Sequence, residues 1–166
     1  MEFPENKEKF ISEWGKLCMN WGVKRAMGQI HAALLISERS LHAEEIMEIV
    51  KMSRGNVNMN LRELVDWGLI HKVLITGERK EFFEAEKDFW KVFKLIVIRR
   101  KKKELDPMLK LLEVSSCVEA KCPESDEFCK VIKELEHFSA KAEKVLDIFI
   151  ANDSNLLSSS LMKMMR

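Results

Sequence analysis

A change of period near residue 68 constrains this chain more than any other feature of its sequence. Ahead of that point, apolar residues recur at three- and four-residue spacing, as one face of an α-helix requires. Phe10, Ile11, Trp14, Leu17, Cys18 and Trp21 set the pattern over 5–21, with Gly22 as a stop. A second helix is expected over 24–38, on Met27, Ile30, Ala33 or Leu34, and Ser37. A short helix follows over 43–50, with Ile46, Met47, Ile49 and Val50 inside and Glu44, Glu45 and Glu48 outside. Lys51 and Met52 make a very short connection to Ser53, whose hydroxyl suits the N-cap of a helix reaching Trp67. Gly68 suits its end. The chain then turns β-branched over 69–75, passes a turn at 76–79 and resumes as a second strand over 80–85, which together read as a hairpin. From Asp88 the helical period returns, with Phe89, Trp90, Phe93, Ile96 and Val97 on one stripe. Pro107 is expected to mark a break or a new start, followed by helices over 108–119, 125–150 and 155–165.

Helix, short helix, three-residue turn, helix and hairpin, in that order, make a winged helix-turn-helix. The turn must be short so that the two helices cross steeply and the second can project into a major groove. The expected fold is therefore mainly helical (α+β), a winged helix-turn-helix with flanking helical arms. We divide it into an N-terminal helix over 1–22, a DNA-binding domain over 23–87 and a C-terminal helical region over 88–166, the two flanking regions being where dimerisation and effector binding fall if the family resemblance of the central domain holds.

The helix over 53–67 can be read by angle. Advancing ~100° per residue, Val57, Leu61, Leu64 and Val65 share a side that should face the core. The opposite side then carries Gly55, Asn56, Met59 and Arg62, flanked by Asn58 and Asn60. Asparagine pairs bidentately with adenine, and arginine with guanine or phosphate. Gly55 lets backbone approach phosphates near the helix N-terminus, where unpaired N–H groups favour anions. Asn56, Met59, Asn60 and Arg62 are thus the expected base readers, with Asn58 beside them. Ser53, Arg54, Arg79 and Lys80 are expected to hold phosphates, with Arg79 or Lys80 at the wing tip.

The stretches His42-Ala43-Glu44-Glu45-Ile46, Ser53-Arg54-Gly55-Asn56-Val57-Asn58-Met59-Asn60-Leu61-Arg62-Glu63-Leu64 and Trp67-Gly68-Leu69-Ile70 resemble the GbsR-like branch of the MarR transcriptional regulators. Gly77-Glu78-Arg79-Lys80-Glu81 and Phe83-Glu84-Ala85 resemble that branch's wing. The resemblance implies a homodimeric regulator of double-stranded DNA, acting on a roughly palindromic site, with the N- and C-terminal helices in the dimer interface. It also implies, for some members, an aromatic pocket for a choline-like quaternary ammonium effector. This chain has no tyrosine, so such a cage would draw on Trp14, Trp21, Trp90 and phenylalanines such as Phe93. Packing within a core or a dimer is the other reading of Phe89, Trp90 and Phe93.

Other features narrow the function by exclusion. The net charge is +1 with 33% charged residues, so attraction to a polyanion must be local. Residues 22–86 hold nine basic and ten acidic side chains, which keeps open a winged-helix module that binds protein instead. Seven basic residues between Lys91 and Lys103, without one acid, are either a phosphate-contacting patch or a solvated helix face. Cys117, Cys122 and Cys129 lack the tight pairs of zinc or redox motifs, so free thiols are expected, with redox sensing as the functional alternative. The four histidines share no ligand spacing and no metal or other cofactor is expected. No nucleophile elbow, phosphate loop, dinucleotide fingerprint or zinc-protease motif occurs, so an enzyme is not expected. The charged N-terminus and short apolar runs give neither a signal peptide nor a membrane span, pointing to the cytoplasm.

Overall fold

The computed structural model describes residues 3–115 and 123–151. The chain forms two compact units, one running to Val92 and one beginning at Phe93. In the first unit, α1 (Phe3–Asn20) and α2 (Arg25–Leu35) precede a two-residue strand β1 (Leu41–His42). Helices α3 (Ala43–Val50) and α4 (Arg54–Asp66) follow, then strands β2 (Ile70–Val73) and β3 (Phe82–Ala85). Helix α5 (Phe89–Arg100) carries the chain across the boundary between units. The second unit contains α6 (Asp106–Ser115) and α7 (Pro123–Ala151).

The core of the first unit is built around α2, which packs on α1, α3, α4 and β3. Met27, Ile30, Ala32, Ala33 and Leu34 are essentially inaccessible on it, and Ile46, Val57, Leu61, Leu64 and Ile70 close over them. Helices α1 and α2 approach at glycines. A Cβ on Gly28 would stand 2.8 Å from the Cys18 Cβ and 3.2 Å from the Gly15 Cα. Burial there pushes the Cys18 thiol up to about 11, which leaves it protonated and unreactive near neutral pH.

The sheet has the order β1-β3-β2, antiparallel throughout. Leu41 and His42 pair with Phe83 and Phe82, while Ile70 to Val73 run opposite Ala85 back to Phe82. The sequence pattern missed β1, because two residues carry no period. The strand ends where His42 caps α3. Its Nδ1 accepts from the Glu45 N–H at 3.4 Å, and Glu45 Oε2 accepts from the His42 N–H at 2.9 Å, a reciprocal capping box. Asp88 caps α5 by accepting from the Trp90 and Lys91 N–H groups at 3.0 and 3.1 Å.

Pro107 marks a new start, one of the two outcomes expected, as the second residue of α6, and it does so without a break in the helical path. Residues Lys101–Leu105 form a π-helical turn between α5 and α6, and the Asp106 N–H reaches back to the Lys101 carbonyl. The widened turn relieves the clash that a proline ring makes with the carbonyl four residues earlier. In the second unit α7 packs on α6 and on this turn. Lys101 Nζ donates to Asp147 at 2.7 Å and lies 3.1 Å from Glu143. The expected helix over 155–165 and the end of that over 108–119 lie outside the described residues.

Gly28→Ala should destabilise the first unit by about 1–2 kcal/mol in urea unfolding, overpacking outweighing the gain in helix propensity. His31 on α2 is 6% exposed, its Nε2 has no hydrogen-bond partner, and burial lowers it to about 4 from 6.5. The unfolded chain therefore binds a proton at higher pH than the folded one does. Stability should be full above pH 6.5 and fall by on the order of 3 kcal/mol as pH drops toward 4. Thermal melts of the wild type and His31→Leu across that window check it, since the variant should lose most of the slope.

Candidate nucleic-acid interface

The connection between α3 and α4 is three residues long because Lys51 takes the left-handed conformation, φ 54° and ψ 47°. It is the one non-glycine with positive φ among the described residues. The Lys51 and Met52 N–H groups both return to the Met47 carbonyl, the latter at 3.3 Å. Ser53 then extends, φ −67° and ψ 152°, and α4 begins. Ser53 occupies the N-cap position, yet its side chain makes no cap hydrogen bond, contrary to expectation. The first amides of α4 therefore lack that local acceptor.

The buried stripe of α4 is Val57, Asn60, Leu61 and Leu64, while Val65 is only half-buried. The helix is thus rotated by a few tens of degrees from the angle inferred with Val57, Leu61, Leu64 and Val65 together on the core side. Asn60, expected to read bases, is 1% exposed. Its Nδ2 donates to the Asn56 carbonyl at 2.8 Å and to Asn56 Oδ1 at 2.7 Å. That assignment is corrected: a side chain bonded back one turn inside the fold cannot reach a base edge. Asn56 is half-buried, its Oδ1 engaged by Asn60 and its Nδ2 3.8 Å from the Met52 sulfur. The outward face instead carries Gly55, Asn58, Met59 and Arg62, which line one shallow depression with Glu63 and Asp66. Met59 is 54% exposed.

A second hollow brings helix and wing together. Arg54 and Asn58 of α4 line it with Arg79 and Lys80 of the wing, and so do the carboxylates of Glu44 and Glu81. Four expected contact residues, separated by up to 26 positions, meet there. Lys80 Nζ donates to Glu44 Oε2 at 2.5 Å, which lowers the Glu44 carboxyl and raises the Lys80 ammonium from their ordinary values. Lys72 Nζ donates to Glu81 at 2.7 Å. Both pairs are exposed, so they orient the wing more than they stabilise it. The sequence reading did not assign Glu44, Lys72 or Glu81 to this surface. Lys72 pairs with Phe83 in the hairpin and Glu81 immediately precedes β3, and Glu44 enters through the start of α3.

The strands are shorter than expected, so residues 74–81 form the wing loop. Gly77 has φ 88°, and the Glu78 N–H donates to the Ile75 carbonyl at 3.1 Å. Leu74 is 94% exposed. Among the residues named for an effector, Trp14 on α1 and Trp21 in the turn just after it meet edge to face, ring centroids 6.0 Å apart. Trp90 lies in the same unit on α5, while Phe93 falls in the second unit with its ring 5.6 Å from Phe149. Cys117 and Cys122 lie outside the described residues, and Cys129 is half-buried on α7. No cluster of metal-ligating side chains occurs among the described residues. No helix among them is long and apolar enough to cross a membrane.

A solved structure described as the crystal structure of a transcriptional regulator superposes with a TM-score of 0.64. It shares 18% identity and the match covers 87% of this chain and 95% of that one. The fold is a winged helix. In sequence, the chain is similar to three Bacillus subtilis proteins. The HTH-type transcriptional repressor GbsR is 29% identical over 73 residues, 44% of this chain and 40% of the relative. The HTH-type transcriptional repressor OpcR is 22% identical over 87 residues, 52% of this chain and 47% of the relative. YvaV, provisionally named an HTH-type transcriptional regulator, is 23% identical over 87 residues, 52% of this chain and 49% of the relative. The chain thus spans about half the length, or less, of the curated relatives it matches. No protein-family model matches it.

Lys51→Gly should raise the unfolding free energy by about 0.5–1 kcal/mol. Relief of the left-handed strain exceeds the added chain entropy of glycine, and the exposed Lys51–Glu8 contact at 3.1 Å contributes little. Denaturant titration of the two proteins measures the difference; a loss on substitution would show that Lys51 is held there by its side chain.

Proposed function

We propose that this chain is a sequence-specific double-stranded-DNA-binding transcriptional regulator, a repressor of the GbsR-like kind that acts as a homodimer in the cytoplasm. The observation that carries the reading is the meeting of Arg54, Asn58, Arg79 and Lys80 around one hollow between the start of α4 and the wing. An α-helix laid in a major groove presents its N-terminal outward residues to base edges, and a wing beside it reaches backbone or minor groove. In this assignment Asn58, Met59 and Arg62 read bases, while Ser53, Arg54, Arg79 and Lys80 hold phosphates. The repressor names of OpcR and GbsR support the direction of regulation. A choline-like effector is the further part of the reading, with Trp14 and Trp21 as the aromatic pair that could face a quaternary ammonium.

Glu44 and Glu81 in the same hollow favour a second reading, a winged helix that binds a protein partner. The two readings separate in a binding titration. Fluorescence anisotropy with the duplex upstream of the protein's own coding region and a shuffled duplex, over a salt series, should show strong preference for the first. Asn58→Ala should cost about 1–3 kcal/mol of specific binding and leave the shuffled duplex nearly unchanged. Arg54→Ala and Lys80→Ala should weaken both duplexes alike and flatten the salt slope by about one counterion each. Asn60→Ala should leave the ratio between duplexes unchanged. No binding to either duplex at low salt would turn the assignment to the protein-binding module.

A further inference from the structure

The side-chain amide of Asn60 is withdrawn from water beside Val57, Leu61 and Leu64, and the backbone dictates which way it points. The Asn56 carbonyl can only accept, so the Asn60 atom 2.8 Å from it is the nitrogen. With Nδ2 so placed, its second hydrogen goes to the Asn56 side chain at 2.7 Å, and the atom it meets there must be Oδ1. The reverse setting of Asn60 would put one oxygen against another at hydrogen-bond distance. Asn60 Oδ1 is buried with no hydrogen-bond partner, so nothing at that end competes for the orientation. The Asn56 amide is therefore held with its oxygen turned into the fold and its nitrogen turned away. Asn56 is half-buried, and its Nδ2 donates to the Met52 sulfur at 3.8 Å, a weak acceptor. A bidentate pair with adenine needs a donor and an acceptor together, and here the acceptor is already engaged. Asn56 offers a donor alone.

Its place on the helix says what that donor meets. Arg54 and Asn56 each stand ~100° around α4 from Gly55, on opposite flanks of the outward face. Arg54 is on the side of the wing, in the hollow with Arg79 and Lys80. Asn56 is on the other side. A helix lying in a major groove has base edges ahead of it and a sugar-phosphate strand on either flank. We propose that Asn56 Nδ2 donates to a phosphate oxygen of the strand opposite the wing, and that Asn60 is the positioning residue that aims it. The proposal rests on the DNA-binding reading and deepens it, giving α4 an uncharged anchor on the flank that the wing does not reach. The carboxylate two turns further along that flank, Glu63, is balanced by Lys24 at 2.7 Å, so it does not turn a phosphate away.

The test is fluorescence anisotropy of the full chain with its own upstream duplex and a shuffled duplex over a salt series, with thermal melts alongside. Asn56→Ala should weaken both duplexes by roughly tenfold. Their ratio should hold, and so should the salt slope, because a neutral donor releases no counterion. Asn56→Asp keeps the oxygen that Asn60 grips and suits the first turn of a helix. Its melting temperature should hold or rise, while both duplexes bind about a hundredfold more weakly as carboxylate faces phosphate. Asn60→Leu should weaken both duplexes by roughly threefold with no loss of melting temperature, since it frees Asn56 to turn and removes an unpartnered polar atom. Combined with Asn56→Ala it should cost nothing further, because Asn60 acts only through Asn56. If Asn60→Leu does not fold, Asn60→Ala takes its place in that cycle. Full affinity in Asn56→Ala overturns the contact, and a changed ratio between duplexes makes Asn56 a base reader and overturns it too. Additive losses in the double variant overturn the positioning role. A wild type that binds neither duplex overturns the regulator reading and this contact together, whereas a wild type that binds beside an unaffected Asn56→Ala overturns the contact alone.

Discussion

The first unit depends on the burial of α2. Nearly every side chain from Met27 to Leu34 is withdrawn from water, so four elements must each present an apolar face to one short helix. At ~25 cal/mol per Å² of apolar surface, this shared burial is the largest favourable contribution the unit has. It also sets how close the surrounding helices come. The glycines at 15 and 28 let α1 approach at backbone distance, and the neutral buried His31 is tolerated because the surrounding packing outweighs its lost hydration.

Packing on α2 also fixes the rotation of α4, and rotation decides what the protein shows to a partner. Val57, Leu61 and Leu64 are drawn inward with Asn60. Asn60 can follow them because its amide nitrogen finds the Asn56 carbonyl and side-chain oxygen one turn earlier. Two of the four asparagine and arginine side chains expected on the outer face are thereby committed within the helix. What remains outside is a mixed surface, with basic groups from α4 and the wing interleaved with Glu44 and Glu81. A phosphate arriving there must exchange places with a carboxylate at Lys80, which disfavours contacts made by charge alone.

The second unit presents the opposite situation. Its longest helix has more apolar surface than its own neighbours cover, and the charged residues Asp126, Lys130, Lys133 and Lys144 sit on the remaining face. The π-helical turn before Pro107 keeps α5 and α6 on one continuous path.

By itself the sequence determined the kind and order of elements: helices before residue 68, a hairpin after it, helices again beyond Asp88. Those features follow from local periodicity, caps and turn residues, which act over a few positions and can be read along the chain. The tertiary structure alone decided three things. It added β1, since two residues become a strand only when Phe82 and Phe83 are there to pair with them. It turned Asn60 inward, because the angle of a helix is set by what it packs against and an error of one position moves the core by ~100°. It brought Arg54 and Asn58 beside Arg79 and Lys80, a meeting of residues distant in sequence that only the fold of the wing onto α4 can produce.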